Sequence, residues 1–279
     1  MSQQHINLIL DSGAFSAWTK KTEINLDNYC NWCLENIDYI DYVVNLDVIP
    51  GSFGEKNLPQ SEIDRSAKKG WGNYEYMLSK GIPKEKLIHI FHQGEDYKWL
   101  EKMVAAMDYI GLSPANDRTT NQKIDWLDSC MKYVTDDKGR PIVKFHGFAV
   151  TSLKLMMRYP WYSVDSTSWV MISRTGSVLV PKFRQNKFIY DEKPWQISVS
   201  EKSPNVKDAG KHIKTFAPEA KDIICNYFKL KGFTLEELAS DYMKRDELNI
   251  IYYNDLEKTF PEWPQCSYKK TKTKTRTLF

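Results

Sequence analysis

Short apolar runs recur along this chain, and each is followed at once by a small or polar group. Ile6 to Leu10 runs into Asp11, Tyr42 to Leu46 into Asp47, and Leu87 to Phe91 into His92 and Gln93. Tyr109-Ile110 leads to Gly111-Leu112-Ser113, Ile142 to Phe145 to His146-Gly147, and Trp161 to Val164 to Asp165. Runs of this length, bounded by turn formers, carry the pattern of buried parallel strands. Periodicity alone does not separate them from short buried helices, so the intervening segments decide. Within Leu26 to Ile40, Leu26, Tyr29, Cys30, Cys33, Leu34 and Ile37 recur at helical spacing with acids scattered on the other face. Similar helical stretches occupy Ser61 to Lys80, Tyr97 to Met107, Gln122 to Val134 and Ser152 to Arg158. Strand and helix therefore alternate, which predicts a parallel sheet.

A chain of 279 residues, 42% hydrophobic and without a long polar linker, fits one barrel-sized domain better than two. The expected fold is an α/β single (β/α)8 TIM-type barrel over residues 1–264, with a small inserted β region and a basic C-terminal tail over 265–279. In such a barrel the C-terminal ends of the strands build the active site, where Asp11, Asp47, Gln93 and Asp165 would meet. Taken singly, each is explained as well by capping the helix that follows. Capping does not require polar groups to recur at the same end of successive apolar runs, beside glycines that let a ligand approach the backbone.

Composition narrows the setting. No stretch of about 18 apolar residues offers a membrane span, and the N-terminus carries no export pattern. A cytoplasmic location is expected. Five scattered cysteines, Cys30, Cys33, Cys130, Cys225 and Cys266, fit reduced thiols better than a disulfide framework. The Cys30-x-x-Cys33 pair lies inside an amphipathic stretch with no second pair or histidine near it in sequence, so helix packing outranks metal or redox work. Lys269, Lys270, Lys272, Lys274 and Arg276 concentrate basic charge near the C-terminus, and removing those five from the formal net charge of +3 leaves −2. Attraction to a polyanion would be local, and the tail reads equally as a phosphate-binding arm or a solvated end.

The order of short motifs resembles the tRNA-guanine transglycosylase family. Asp11-Ser-Gly-Ala-Phe-Ser16 is similar to its Asp-Ser-Gly-Gly-Phe-Gln signature, and Asn45-Leu-Asp-Val-Ile-Pro50 to its second aspartate motif. His92-Gln-Gly94 resembles its Gln-Gly-Gly, and Tyr109-Ile-Gly-Leu-Ser113 its Gly-Gly-Leu-Ala. Phe145-His-Gly-Phe-Ala149 falls where the family has Met-Gly-Val-Gly, Tyr162-Ser-Val-Asp165 where it has its nucleophile, and Ile250 to Leu256 is similar to its Ile-His-Asn-Leu. Two departures matter. Gln196 to Lys214 contains no cysteine, and Tyr253 stands at the histidine position, so the family's four-ligand zinc site is not expected. Ser166-Thr-Ser-Trp169 replaces the Pro-Thr-Arg after the nucleophile, which changes polynucleotide recognition. The chain looks like the phage-type, zinc-free members that exchange guanine for a 7-deazaguanine (preQ0-type) base in DNA.

The resemblance implies a pentosyltransferase needing no cofactor and no metal. Asp165 would be the nucleophile that forms a glycosyl-enzyme intermediate, and Asp11 the general acid and then base. Asp47 would accept from the guanine N1–H and N2–H₂ edge and Gln93 would meet O6. Gly111 and Leu112 would complete the pocket with backbone, Phe15 would offer an aromatic face to the flipped base, and Ser12, His146 and Gly147 would line the site. The implied partners are DNA, with tRNA as the alternative, and the free base; a homodimer is the family's habit. His89 is expected to be packed, while His92 stays open between packing and substrate contact. Arg174, Lys182, Arg184 and Lys187, in and beside Thr175 to Trp195, read equally as a phosphate-contacting surface or a solvated hairpin. Two other functions compete: the same exchange on tRNA or a nucleoside, and a non-catalytic nucleic-acid-binding barrel.

Overall fold

All six apolar runs become strands, and all six pair in parallel. In this computed structural model, which describes residues 7–51, 55, 58–150 and 152–260, β1 (Ile9–Leu10), β2 (Tyr42–Val44), β3 (Leu87–His92), β4 (Tyr109–Ser113), β5 (Lys144–Gly147) and β6 (Ser163–Val164) stand side by side in chain order. Ile6, Cys266 and the basic tail over 265–279 lie outside the described residues. The register runs Leu10 to Val43, Val44 to Ile88, Phe91 to Leu112, Leu112 to Gly147 and Gly147 to Val164. Strands added in one direction accumulate twist in one direction, and the sheet curls into a half-barrel.

The crossovers follow from local chemistry. Helices α1 (Ala14–Lys20) and α2 (Leu26–Glu35) follow β1, α3 (Gln60–Ser79) follows β2, α4 (Tyr97–Ala106) follows β3 and α5 (Thr120–Val134) follows β4. Asn25 starts α2 by accepting from Asn28 N at 2.9 Å, and Asp96 starts α4 by accepting from Lys98 N at 3.0 Å. Thr119 and Gln122 start α5 with a reciprocal capping box. Val43, Val44, Leu87, Ile88, Phe91, Ile110, Leu112 and Phe145 are all buried in the sheet core. Cys30 and Cys33 are buried on α2, and burial pushes both thiols up, Cys33 to about 11; that is the reverse of a reactive thiolate.

The expected eight-stranded barrel is not completed. The chain divides into two compact units, and the parallel sheet belongs to the first, made of the described residues up to Val150 together with Pro160–Asp165. Among the described residues the second takes 152–159 and 166–260. It contains α6 (Leu153–Met156), α7 (Ser168–Arg174), β7 (Ser177–Val180), β8 (Lys182–Arg184), β9 (Lys187–Ile189), β10 (Trp195–Ser198), α8 (Pro218–Leu230), α9 (Leu235–Ser240) and α10 (Tyr242–Glu257). Its strands form two antiparallel pairs, β7 with β10 and β8 with β9. The reason is connection length: a parallel partner needs a crossover of roughly a dozen residues or more, and β7 to β9 are joined by two residues at most. Gln185 and Asn186, both with positive φ, make the tight turn that fixes the β8–β9 hairpin. Val178, Val180, Ile197, Ile224, Tyr227, Phe228, Leu238 and Leu248 form this unit's own core.

Candidate active site

Every strand of the parallel sheet delivers its polar residues to one edge. Asp11 follows β1 directly, its carboxylate accepting from the backbone N–H groups of Ser12 and Gly13. Gly13 takes φ 74°, a left-handed turn that turns the chain into α1. Ser12 is buried, its hydroxyl accepting from Ala14 N at 3.3 Å, so it shapes this turn. Phe15, at the start of α1, is 48% exposed, with its ring 5.8 Å from that of Trp18. It stays available as an aromatic face.

Asp47 follows β2 and is buried, with Oδ2 2.7 Å from His92 Nε2 at the end of β3. Burial opposes charge on His92, but the hydrogen bond and charge of Asp47, with Glu95 adding, outweigh it and raise its pKa. Burial also pushes Glu95 up to about 7, against the lowering influence of His92. Upstream, Asn45 Nδ2 donates to Gly70 O at 3.0 Å and lies 2.9 Å from His89 Nδ1. Burial drives His89 down to about 3, so it is a neutral, packed residue as expected.

Asp165 follows β6, and its setting is the most developed in the unit. Oδ1 accepts from Ala149 N at 2.8 Å and lies 3.4 Å from His146 Nε2. His146 Nδ1 is 2.5 Å from Ser163 Oγ, which is 2.5 Å from the Tyr109 hydroxyl. Tyr109, Ser163, His146 and Asp165 thus form one chain of polar contacts, with His146 Nε2 facing the carboxylate. Burial would raise the Asp165 pKa, but His146 and the Ala149 N–H hold it below the usual carboxylate range. Asp11 moves the other way, raised by burial and then by the charges of Asp47 and Asp165. Both Asp11 and Asp165 are exposed to solvent.

Ala149 has φ 55°, a left-handed conformation that costs a residue with a Cβ roughly 1 kcal/mol or more. This turn aims its N–H at Asp165 and lays the Phe148 ring over the sheet. A Cβ on Gly111 would lie 2.5 Å from Phe148 Cε2, and one on Gly147 would lie 3.0 Å from Trp161 Cζ3. Both glycines, expected to admit a ligand to the backbone, are required here by aromatic packing. Leu112 is buried and offers only its backbone, whose oxygen accepts from Phe148 N at 3.0 Å.

No family model and no curated protein matches this chain. The chemistry of the edge must therefore speak for itself. It brings together Asp11, Asp47 and Asp165, which act on Asp11 electrostatically, with Ser12 and Phe15 beside Asp11. Gln93 turns elsewhere: its Oε1 accepts from Ala115 N at 3.0 Å and its Nε2 donates to Gln122 O at 3.3 Å, bracing the loop before α5. His146 is buried beneath Asp165 and positions the carboxylate. Among the described residues no group of three or more His, Cys, Asp or Glu side chains could hold a metal ion, and no helix is long and apolar enough to cross a membrane. Glu95 lies just outside the motifs, while Tyr109, Ser163 and Ala149 lie within them without the motifs giving them a role. Their signal is alternation: His146 and Ser163 are level on neighbouring strands, and so point to the same face.

Proposed function

We propose that this chain is a base-exchange transglycosylase that replaces guanine in DNA with a 7-deazaguanine (preQ0-type) base, working in the cytoplasm. The observation that supports it is the divergence of two carboxylates at one sheet edge. Asp165 is held ionised and open to solvent, while Asp11 holds its proton more tightly than usual. Paired carboxylates driven apart in this way divide into nucleophile and acid. Asp165 attacks the sugar C1′ as the bond from C1′ to the guanine nitrogen breaks. The departing nitrogen keeps the electron pair and takes the Asp11 proton. The incoming base then gives a proton to Asp11, bonds to C1′ through its nitrogen, and releases Asp165. Two inversions restore the original configuration at C1′, and the strand stays intact because only the bond from C1′ to the base is broken and remade.

Asp47 accepts from the N–H edge of the base while His92 secures Oδ2. Gln93 reaches O6 with its remaining amide hydrogen if it keeps its hold on Gln122. The experiment is incubation with duplex DNA and a labelled 7-deazaguanine, beside tRNA and free-nucleoside arms. Label should enter DNA with the wild-type chain and not with Asp165→Asn. Label entering only tRNA or only the nucleoside would move the substrate. Unaltered nucleic-acid affinity in both proteins, with no trapped adduct and no label in any arm, would identify a non-catalytic binder.

A further inference from the structure

A cavity in the second unit has no part in base exchange. Its volume is about 530 Å³, and Arg174 at the end of α7, Ser200, Glu201 and Lys202 after β10, and Tyr242 and Arg245 on α10 line it. Arg245 is the unusual member. It is 6% exposed, yet no carboxylate lies within ion-pair distance of it among the described residues. Its Nε donates to Ser173 O at 2.9 Å and its Nη1 to Leu238 O at 2.7 Å. Those carbonyls close the C-terminal ends of α7 and α9, where helix dipoles gather partial negative charge. Its Nη2 has no hydrogen-bond partner among the described residues. A guanidinium held by neutral carbonyl acceptors alone is incompletely compensated.

The rest of the lining carries the same sign. The Arg174 guanidinium lies 3.9 Å from the Tyr242 ring centroid, with Asp246 at 3.9 Å holding it there. Lys202 is exposed and makes no ion pair among the described residues. Glu201 is the one acid of the lining, and Lys214 neutralises it at 2.6 Å. The Ser200 hydroxyl accepts from Lys202 N at 3.3 Å, which leaves its own hydrogen to donate. A buried arginine with an unused donor, a second arginine flat on an aromatic ring, a free lysine and a hydroxyl are the donor set for a tetrahedral oxyanion.

We infer that this cavity binds a phosphate group, carried either by a phosphorylated small molecule or by the backbone of a polynucleotide. The site does not depend on the exchange chemistry, so the two can fail separately. The test uses the full chain, as wild type and as Arg174→Ala, Lys202→Ala and the double variant. Arg245 is left in place because it also clamps two helices. Inorganic phosphate is titrated by calorimetry, and short duplex DNA by anisotropy over a range of salt. Phosphate binding should be present in the wild type and absent from the double variant. If the backbone is the source, each substitution also lowers the slope of log affinity against log salt by about 1. Phosphate binding lost with DNA affinity unchanged assigns the site to a small molecule. No phosphate binding in the wild type, or phosphate and DNA binding both unchanged in the double variant, overturns the inference.

Discussion

His146 with Asp165, and His92 with Asp47, are the same two side chains paired twice at one end of one sheet, with their exposures reversed. In the first pair the histidine side chain is 4% exposed and the carboxylate 57%. In the second the histidine is 18% exposed and the carboxylate 5%. The first arrangement spends the imidazole inside the protein to present an ionised oxygen to solvent. The second buries the carboxylate and turns it into an anchor for the imidazole. Pairing alone therefore assigns no role; what matters is which partner keeps contact with solvent.

The strongest way to break this contrast is to neutralise each carboxylate. Asp165→Asn should lower exchange by on the order of 10⁴-fold or more and abolish the trapped adduct, read by single-turnover kinetics, because a nucleophile has no substitute. A residual rate near wild type would remove Asp165 from the reaction. His146→Ala comes next, with a loss of about 10²-fold in kcat, little change in KM and an acidic limb displaced to higher pH. The sign follows from its role: His146 lowers the Asp165 pKa, so its loss leaves the carboxylate protonated at pH values where the wild type is ionised. An unmoved pH profile would reduce His146 to packing.

Asp47→Asn should cost about 1–3 kcal/mol in a urea titration through the buried hydrogen bond to His92, and should raise KM for the base more than it lowers kcat because the acceptor for the N–H edge is lost. A loss of activity as deep as that of Asp165→Asn, with stability intact, would reverse the assignment of the two pairs. The smallest effect is expected at Glu95, raised from 4.5 to about 7. Between those values the folded chain keeps a proton that the unfolded chain has released, so stability falls as pH rises through that window. His92 contributes in the same direction: its raised pKa gives stability that is complete below its unfolded value and lost as pH rises through the folded one. Glu95→Gln should flatten the fall in melting temperature between pH 5 and pH 8, at roughly 2–4 °C per kcal/mol. An unchanged slope would put the dependence on His92 alone.

Much of this layout was legible in advance, for local reasons. Leu87 to Phe91 became β3 with one residue added, and Gln122 to Val134 became α5 with its start moved back to Thr120, because apolar spacing and capping chemistry act over a few residues. Asp11, Asp47 and Asp165 were expected at strand ends, and they stand there. Other features of these residues were hidden because the deciding partner is remote. Gly111 looked like a place for a ligand to approach, but the ring it accommodates belongs to Phe148, on another strand's loop. Gln93 was expected at the base edge, and what the sequence did not reveal is that its amide also braces Ala115 and Gln122, leaving one hydrogen for O6. The run from Ser177 to Ser198 had strand character, yet its short connections allow only antiparallel pairs, and the sheet stops at six parallel strands.

From the order of its residues alone, this chain is committed to alternating strands and helices and to carboxylates at the strand ends. Those features depend on neighbours within a turn or two. Tertiary structure alone decided which carboxylate is buried and which is open, and that Asp11 holds its proton more tightly than Asp165. Asp47 meets a histidine 45 positions away, and His146 takes its orientation from a serine 17 positions away. Burial and Coulomb interactions depend on distance through space, and no period in the sequence encodes that distance.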